Sequence, residues 1–296
     1  MKRLIADSGS TKTAWALVDE QPGLPKVILA AQTQGLNPLY VGADEISVAL
    51  KRVLTQMNIQ QPDELLFYGS GCSGERITLV EQALRKLLTP MTRVVVKSDL
   101  VGAAKALSSS HEDSSQMSDN KHQIADVDPF IACIMGTGAI AAKYDPCSEV
   151  LTPMPALGYI LGDEGSGAWF GRHLLGDYLK GQMPAQAAEA FEEDFGRITP
   201  EQAIRHVYQM PCPNRYLATL ASFLKRHEDL RYAQELSYRG VDAFWRRNVM
   251  RVEDDIRDVR LVGSVAYYLD KYVHQVAEYH DYVVTRILKD PIEGLI

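Results

Sequence analysis

An apolar run that ends in a small polar tip and doubles straight back into a second apolar run can fold in few ways, and this chain contains the design twice. The first copy is Arg3-Leu4-Ile5-Ala6-Asp7-Ser8-Gly9-Ser10-Thr11-Lys12-Thr13-Ala14-Trp15-Ala16-Leu17-Val18-Asp19. The second is Phe130-Ile131-Ala132-Cys133-Ile134-Met135-Gly136-Thr137-Gly138-Ala139-Ile140-Ala141-Ala142-Lys143-Tyr144-Asp145. Each reads as a β-hairpin with a tip rich in N–H groups and hydroxyls. Gly9 can take positive φ, so consecutive amides can point inward as an anion-binding nest. Asp7, at the strand end, is placed to hold a hydrated magnesium beside that anion. The chemistry suggested is nucleotide-phosphate binding on a hairpin, although one such tip taken alone is an ordinary turn. A repeat period above 100 residues is too long for a solenoid unit and points to duplicated domains. Two facing hairpins, one per domain, would clamp a nucleoside triphosphate in the cleft between them.

A chain of 296 residues has room for two such domains with separate cores. Its 46% hydrophobic and 23% charged content is that of a globular protein. The net charge of −7 and pI near 5.5 argue against a nucleic-acid partner, which needs a basic face. The N-terminus reaches Asp7 before a signal-peptide core can form, and no apolar stretch approaches the ~20 residues that span a bilayer. The expectation is a cytoplasmic protein without a membrane partner. Cys72, Cys133, Cys147 and Cys212 form no CxxC pair and no zinc spacing, and disulfides are not expected in that compartment.

Strands are expected at 4–7, 13–18 and 27–31, then a helix at 44–57 with Ile46, Ala49, Leu50, Val53, Leu54 and Met57 on one face. Strand 64–68, helix 75–88, strand 93–97 and helix 100–107 follow, giving the order βββαβαβα. These residues, 1–107, form the first domain. Residues 108–129 are a polar insertion or linker, rich in Ser, Asp and His. The second domain, 130–290, carries a helical block over 165–250, a strand at 259–262 and a last strand at 282–288. The terminal segment 291–296 could pack back on the first domain.

Asp99 stands where a strand gives way to a helix, the end of an α/β sheet at which functional groups collect. A carboxylate there can take a proton from an attacking hydroxyl; it can equally be a helix cap. Gly162-Asp163-Glu164-Gly165-Ser166 sets two acids among glycines just before a helix. The acids suit a helix dipole, while the glycine density argues for backbone close to a ligand. Gly263-Ser264-Val265-Ala266 offers a glycine against which an adenine could lie flat, at a common kind of strand–turn–helix junction. Gly69-Ser70-Gly71-Cys72-Ser73-Gly74 is another glycine loop at a strand end.

Taken in order, these motifs closely resemble the N-acetylglucosamine kinase and BadF/BadG-type ATPase family, within the sugar kinase, heat-shock-70 and actin superfamily. The likeness covers nearly the whole chain, and the Gly-Asp-Glu-Gly-Ser block is its most discriminating element. It implies an α/β fold of two duplicated ribonuclease-H-like, actin-like ATPase domains, with an ATP cleft between them and a helical insertion in the second. It implies that Gly9, Ser10, Thr11, Lys12, Gly136, Thr137 and Gly138 bind ATP and that Gly263, Ser264, Val265 and Ala266 adjoin the adenosine. Asp7 becomes the magnesium site, through water. Asp99 becomes the catalytic base, and Asn37, Asp99 and Asp163 become substrate contacts. The activity implied is transfer of the γ-phosphoryl group of ATP to a hydroxyl, the 6-hydroxyl, of an amino sugar such as N-acetylglucosamine; a homodimer is possible.

The family usually carries Gly-Trp-Gly shortly before the acidic block. Here Ala156-Leu157-Gly158 stands there, removing an expected sugar contact. One alternative is the family's activator branch, ATPases that drive electron transfer to a dehydratase or reductase. Those proteins hold an iron–sulfur cluster across a dimer on paired cysteines, whereas the cysteines here are scattered. Another is a non-catalytic sugar sensor, against which the retained Asp7 and Asp99 argue.

Overall fold

In the computed structural model, which describes residues 1–19, 26–108, 128–252 and 255–296, both hairpins form. Most of the polar stretch 108–129 lies outside the described residues. The chain divides into two compact units, Met1–Asp126 with Asp290–Ile296, and Val127–Lys289.

The first unit runs β1 (Lys2–Ser8), β2 (Lys12–Asp19), β3 (Lys26–Gln34), α1 (Ala43–Gln56), β4 (Glu64–Gly69), α2 (Glu75–Arg85), β5 (Arg93–Ser98) and α3 (Asp99–Ser108). Its sheet has the order β3-β2-β1-β4-β5. The β1–β2 and β2–β3 pairs are antiparallel, while β1–β4 and β4–β5 are parallel. Central strands such as β1 and β4 are apolar on both faces because both faces are covered. Leu4, Ala6, Trp15, Leu17, Leu65 and Phe67 meet the apolar faces of α1 and α2. Ile5, Val18 and Tyr68 point the other way, toward Val101 of α3 and Ile292, Leu295 and Ile296 of the terminal segment. That segment forms a 3-10 turn, Pro291–Gly294. A Cβ on Gly294 would come 2.3 Å from the Ala106 carbonyl oxygen, so only glycine allows this approach.

The second unit repeats the plan. It runs β6 (Phe130–Met135), β7 (Ala139–Asp145), β8 (Val150–Pro153), a helical stretch, β9 (Asp258–Val262), α11 (Ser264–Tyr268), α12 (Asp270–Tyr279) and β10 (Val283–Leu288). The helical stretch comprises α4 (Gly158–Leu161), α5 (Gly167–Leu179), α6 (Ala185–Phe195), α7 (Pro200–Ile204), α8 (Pro213–Leu220), α9 (Ser222–Arg226) and α10 (Arg231–Arg247). The sheet order β10-β9-β6-β7-β8, with antiparallel β6–β7–β8 and parallel β6–β9–β10, is that of the first sheet strand for strand. The helical stretch occupies the place that α1 alone fills between β3 and β4. This is a duplicated α/β fold of the actin-like ATPase kind.

The equivalent strands β4 and β9 each begin with a buried carboxylate. Glu64 is held by Arg3 Nε at 2.6 Å and Arg93 Nη1 at 2.9 Å, and Asp258 by Arg260 Nε and Nη2, both at 2.9 Å. The first cluster ties β1, β4 and β5 together at their amino ends, opposite the ends that bear Asp7 and Asp99, whereas the second lies within β9, where Asp258 also accepts the Thr285 hydroxyl of β10.

Within the helical stretch α5 crosses α8 in backbone contact: a Cβ on Gly171 would lie 1.8 Å from the Leu217 carbonyl oxygen. Gly171→Ala is therefore expected to cost about 1–3 kcal/mol of stability through overpacking. An unchanged urea midpoint would show that the two helices can separate freely. No described helix is long and apolar enough to cross a membrane.

Candidate active site

The first hairpin tip is closed by the Gly9 N–H donating to the Lys12 carbonyl at 3.0 Å. It is buttressed by Gly35, whose N–H donates to the Thr11 carbonyl at 3.0 Å. A Cβ on Gly35 would stand 2.4 Å from the Ser10 oxygen, so glycine is required for this approach. Behind the tip, buried Ser8 and Thr13 share a hydroxyl hydrogen bond of 2.9 Å, and Ser8 Oγ accepts the Leu36 N–H at 3.1 Å. These bonds carry the chain from the hairpin directly to Asn37.

Parallel pairing then assembles three strand ends. Ser8 lies beside Gly69, and Gly69 beside Ser98. The next residues along β4 and β5 are Ser70 and Asp99. The Ser70 N–H donates to the Ser8 carbonyl at 2.8 Å, and its hydroxyl is hydrogen-bonded to the Asp99 carboxyl. Buried Asn37 donates from Nδ2 to Ser70 Oγ at 3.5 Å. Its Oδ1 accepts the Leu39 N–H at 2.9 Å. Gly71, at φ +78°, leaves room for that amide: a Cβ there would meet Asn37 Oδ1 at 2.3 Å.

Asp99 is the first residue of α3, and its own Oδ1 accepts the Leu100 N–H at 2.9 Å. Burial pushes its carboxyl above the ordinary carboxylate range, and the bonds from Leu100 and Ser70 pull it part of the way back. Asp7 keeps some solvent contact, yet enough protein surrounds its carboxyl to push it up to about 7. Burial is the main cause, followed by the negative charges of Asp99 and Asp290, with Lys12 opposing. A carboxylate crowded by two others is one that a divalent cation would relieve, so this donor set fits a hard, oxygen-seeking ion. Among the described residues, no three His, Cys, Asp or Glu side chains are grouped to hold a metal by themselves. An ion at Asp7 would thus depend on water and phosphate oxygens.

Because Asp7 binds its proton more tightly folded than unfolded, it lowers stability progressively as pH rises from about 4 to 7, the span between its ordinary and shifted values. Above that span the loss is complete. Asp7→Asn should abolish this component, so the melting temperature of the variant should fall less than that of wild type across pH 4–7. Parallel melting curves for the two proteins would remove Asp7 as the titrating group.

In the second unit the Gly136 N–H donates to the Gly138 carbonyl at 2.9 Å, closing the second tip. The first residues of α5 secure it from behind: Gly167 N–H donates to the Gly136 carbonyl at 2.8 Å and Ala168 N–H to the Thr137 carbonyl at 3.1 Å. Ser166 caps that helix, its Oγ accepting the Trp169 N–H at 3.1 Å. Asp163 has a left-handed backbone, φ +53°, and its Oδ1 accepts the Ala139 N–H at 3.3 Å. The acidic block is therefore folded onto the second hairpin, and Asp163 lies against Gly138. Burial, with the charge of Glu164 as a smaller cause, raises the Asp163 carboxyl, against the Ala139 hydrogen bond. Glu164 is turned to Arg247, 2.5 Å from its Nε.

Gly263, at φ +125°, packs on the base of the same hairpin. A Cβ there would sit 2.4 Å from the Met135 oxygen. Ser264–Tyr268 form α11 from this turn, so Ser264, Val265 and Ala266 make its first turn. Cys72 and Cys133 are buried, and burial raises both thiols.

Asp7, Asn37 and Asp99 thus converge in the first unit, and Gly136, Thr137, Gly138, Asp163 and Gly263 in the second. Ser70, which bridges Asn37 and Asp99, was not singled out from the sequence. Its signal was the glycine loop at a strand end, which does not say which residue of the loop faces the acids.

Two five-stranded sheets of one topology, each with a glycine–hydroxyl hairpin, and acids at the strand ends define a two-domain actin-like ATPase fold of the kind found in sugar kinases. No protein-family model matches the chain, and no curated protein does. Among solved structures, a "Putative N-acetylglucosamine Kinase" from Porphyromonas gingivalis is 35% identical over 99% of this chain and 96% of its own, with a TM-score of 0.83. This chain belongs to the N-acetylglucosamine kinase and BadF/BadG-type ATPase family. A second protein so described, from Chromobacterium violaceum, is 18% identical with a TM-score of 0.64, over 99% of this chain and 96% of its own. A Schistosoma mansoni hexokinase in complex with glucose is 14% identical with a TM-score of 0.52, over 99% of this chain and 83% of its own. These two share the fold.

Proposed function

We propose that this sugar kinase transfers the γ-phosphoryl group of ATP to the 6-hydroxyl of an amino sugar, N-acetylglucosamine or a close relative. The observation that carries the reading is the group of Asp7, Asn37, Ser70 and Asp99 at the carboxyl ends of β1, β4 and β5, directly beside the first hairpin tip. A carboxylate of raised proton affinity bonded to the Ser70 hydroxyl, with the Asn37 amide beside it, supports that reading.

Ser10, Thr11 and Lys12 would offer hydroxyls and an ammonium to phosphate oxygens and Thr137 a hydroxyl, while Gly9, Gly136 and Gly138 shape the two tips, the Gly9 and Gly136 amides being spent on closing them. Gly263 to Ala266 would adjoin the adenosine. Magnesium, when bound, neutralises charge on the phosphate oxygens, and Asp7 would hold it through water. Asn37 and Asp163 would bind sugar hydroxyls, Asn37 as donor and acceptor and Asp163 as acceptor. As the sugar oxygen bonds to the γ-phosphorus and the bond to the β–γ bridging oxygen breaks, Asp99 takes the hydroxyl proton and ADP leaves. Ser70 fixes the Asp99 carboxyl so that one of its lone pairs remains for that proton.

The amino-sugar reading has local support beyond the family. A cavity of about 180 Å³ in the second unit is lined by Met154, Leu157, Leu161, Asp163, Arg247 and Asn248 among others. Apolar side chains beside the Asp163 carboxylate, with Glu164 turned to Arg247 and Asn248, suit an acylated amine on a sugar ring. Leu157, where the family usually has tryptophan, forms part of that wall.

The test is an ATP-consumption assay against amino sugars and plain hexoses, with and without magnesium, followed by phosphorus NMR of the product. A 6-phosphorylated amino sugar is expected. ATP turnover with no phosphorylated sugar would overturn the proposal and favour the activator branch.

A further inference from the structure

Residues 288–290 are bonded in turn to Gly263, to the tyrosines of α11 and to the first hairpin. The Leu288 carbonyl accepts the Gly263 N–H at 2.9 Å. Lys289 Nζ lies over the rings of Tyr267 and Tyr268, 5.7 and 5.0 Å from their centroids. Asp290, the next residue, sits with its Oδ1 2.6 Å from the ammonium of Lys12 on the first hairpin.

We infer that Asp290 is a positioning residue of the phosphate-binding hairpin, holding the Lys12 ammonium in place so that the C-terminal segment is a working part of the nucleotide site. The inference rests on the reading of that hairpin as a phosphate cradle. A lysine stem is long and flexible, and its ammonium has three donors. One donor committed to Asp290 restrains the stem and leaves two for phosphate oxygens, so less freedom is lost when the nucleotide arrives.

Asp290 is itself well placed to hold anything. It is followed by Pro291, and the turn beyond it is pinned by Ile292, Leu295 and Ile296 against Ile5, Val18 and Tyr68. The close approach of Gly294 to Ala106 fixes the same turn from the α3 side. Asp290 and Lys12 both lie near enough to Asp7 to act on its charge. The pair is partly exposed, with side-chain accessibilities of 47% for Lys12 and 25% for Asp290, and such pairs add little to folding. A functional role and a structural one therefore separate cleanly.

Calorimetric titration with a non-hydrolysable ATP analogue and magnesium tests this on wild type, Asp290→Asn, Asp290→Glu, Lys12→Ala and the Lys12→Ala/Asp290→Asn double variant, alongside melting temperatures. Asp290→Asn should melt like wild type and bind the analogue about three- to ten-fold more weakly. Asp290→Glu should recover most of that loss. The double variant should bind no more weakly than Lys12→Ala alone, because Asp290 acts through Lys12. Unchanged binding in Asp290→Asn, or losses in the double variant that simply multiply, would overturn the inference while leaving the kinase reading intact. A wild type that binds no nucleotide would overturn both.

Discussion

Asp99→Asn is expected to lower kcat by about 10²–10⁴-fold, the usual cost of losing a general base, with little change in the affinity for magnesium–ATP. Asparagine is nearly isosteric and suits the start of α3, whose Val101 N–H is accepted by Ser98 Oγ rather than by residue 99. The Leu100 N–H keeps a side-chain oxygen to donate to, and the Ser70 hydroxyl, donor or acceptor, can pair with either end of the amide. What disappears is the ability to accept a proton. Stability and nucleotide binding should therefore survive, and the loss should fall on the chemical step. In the wild type kcat should decline as pH falls through the raised range of the Asp99 carboxyl, since only the ionised form can serve as base. The measurement is kcat at saturating sugar and ATP across pH. A near-normal value in Asp99→Asn would reduce Asp99 to a structural residue at the start of α3.

Asp163→Ala is expected to raise the sugar KM or lower kcat by roughly 10- to 150-fold, corresponding to the ~1.5–3 kcal/mol of a hydrogen bond to a charged group. The structure sharpens this experiment, because Asp163 accepts the Ala139 N–H and lies against Gly138, on the second hairpin itself. The same carboxylate could act on sugar hydroxyls or, through the hairpin, on the phosphates. Asp163→Asn separates backbone from chemistry. Its residue tolerates the left-handed conformation at φ +53°, in which alanine is strained. If both variants lose sugar affinity and keep ATP affinity, Asp163 is a substrate contact. If both lose only ATP affinity, it belongs to the nucleotide site, and the proposed sugar contacts narrow to Asn37 and Asp99.

The hairpins were legible in the sequence because their pairing is local. Ser8 meets Thr13 and Met135 meets Ala139 across tips of a few residues, so strand composition and turn chemistry suffice to specify them. Helix α1 was legible for a similar reason: its buried Ile46, Ala49, Leu50, Val53 and Leu54 recur at helical spacing within one segment. Strand β8, short and mostly exposed, has no such pattern and went unread. Without it, the strand-for-strand identity of the two sheets could not be seen, because β8 and β9 are separated by the whole helical stretch.

The acids of the candidate site, and the glycines around them, were visible as residue types at strand ends, since Asp7 and Asp99 each close an apolar run. Their company was not. Ser70 reaches Asp99 only because β1, β4 and β5 stack in parallel with Ser8, Gly69 and Ser98 level. Asp163 reaches Ala139, and Asp290 reaches Lys12, across 24 and 278 residues of chain. Local patterns report what a segment does with its own neighbours. Contacts made across the fold depend on strand register and on how the elements pack, and those are decided only when each unit's own core forms.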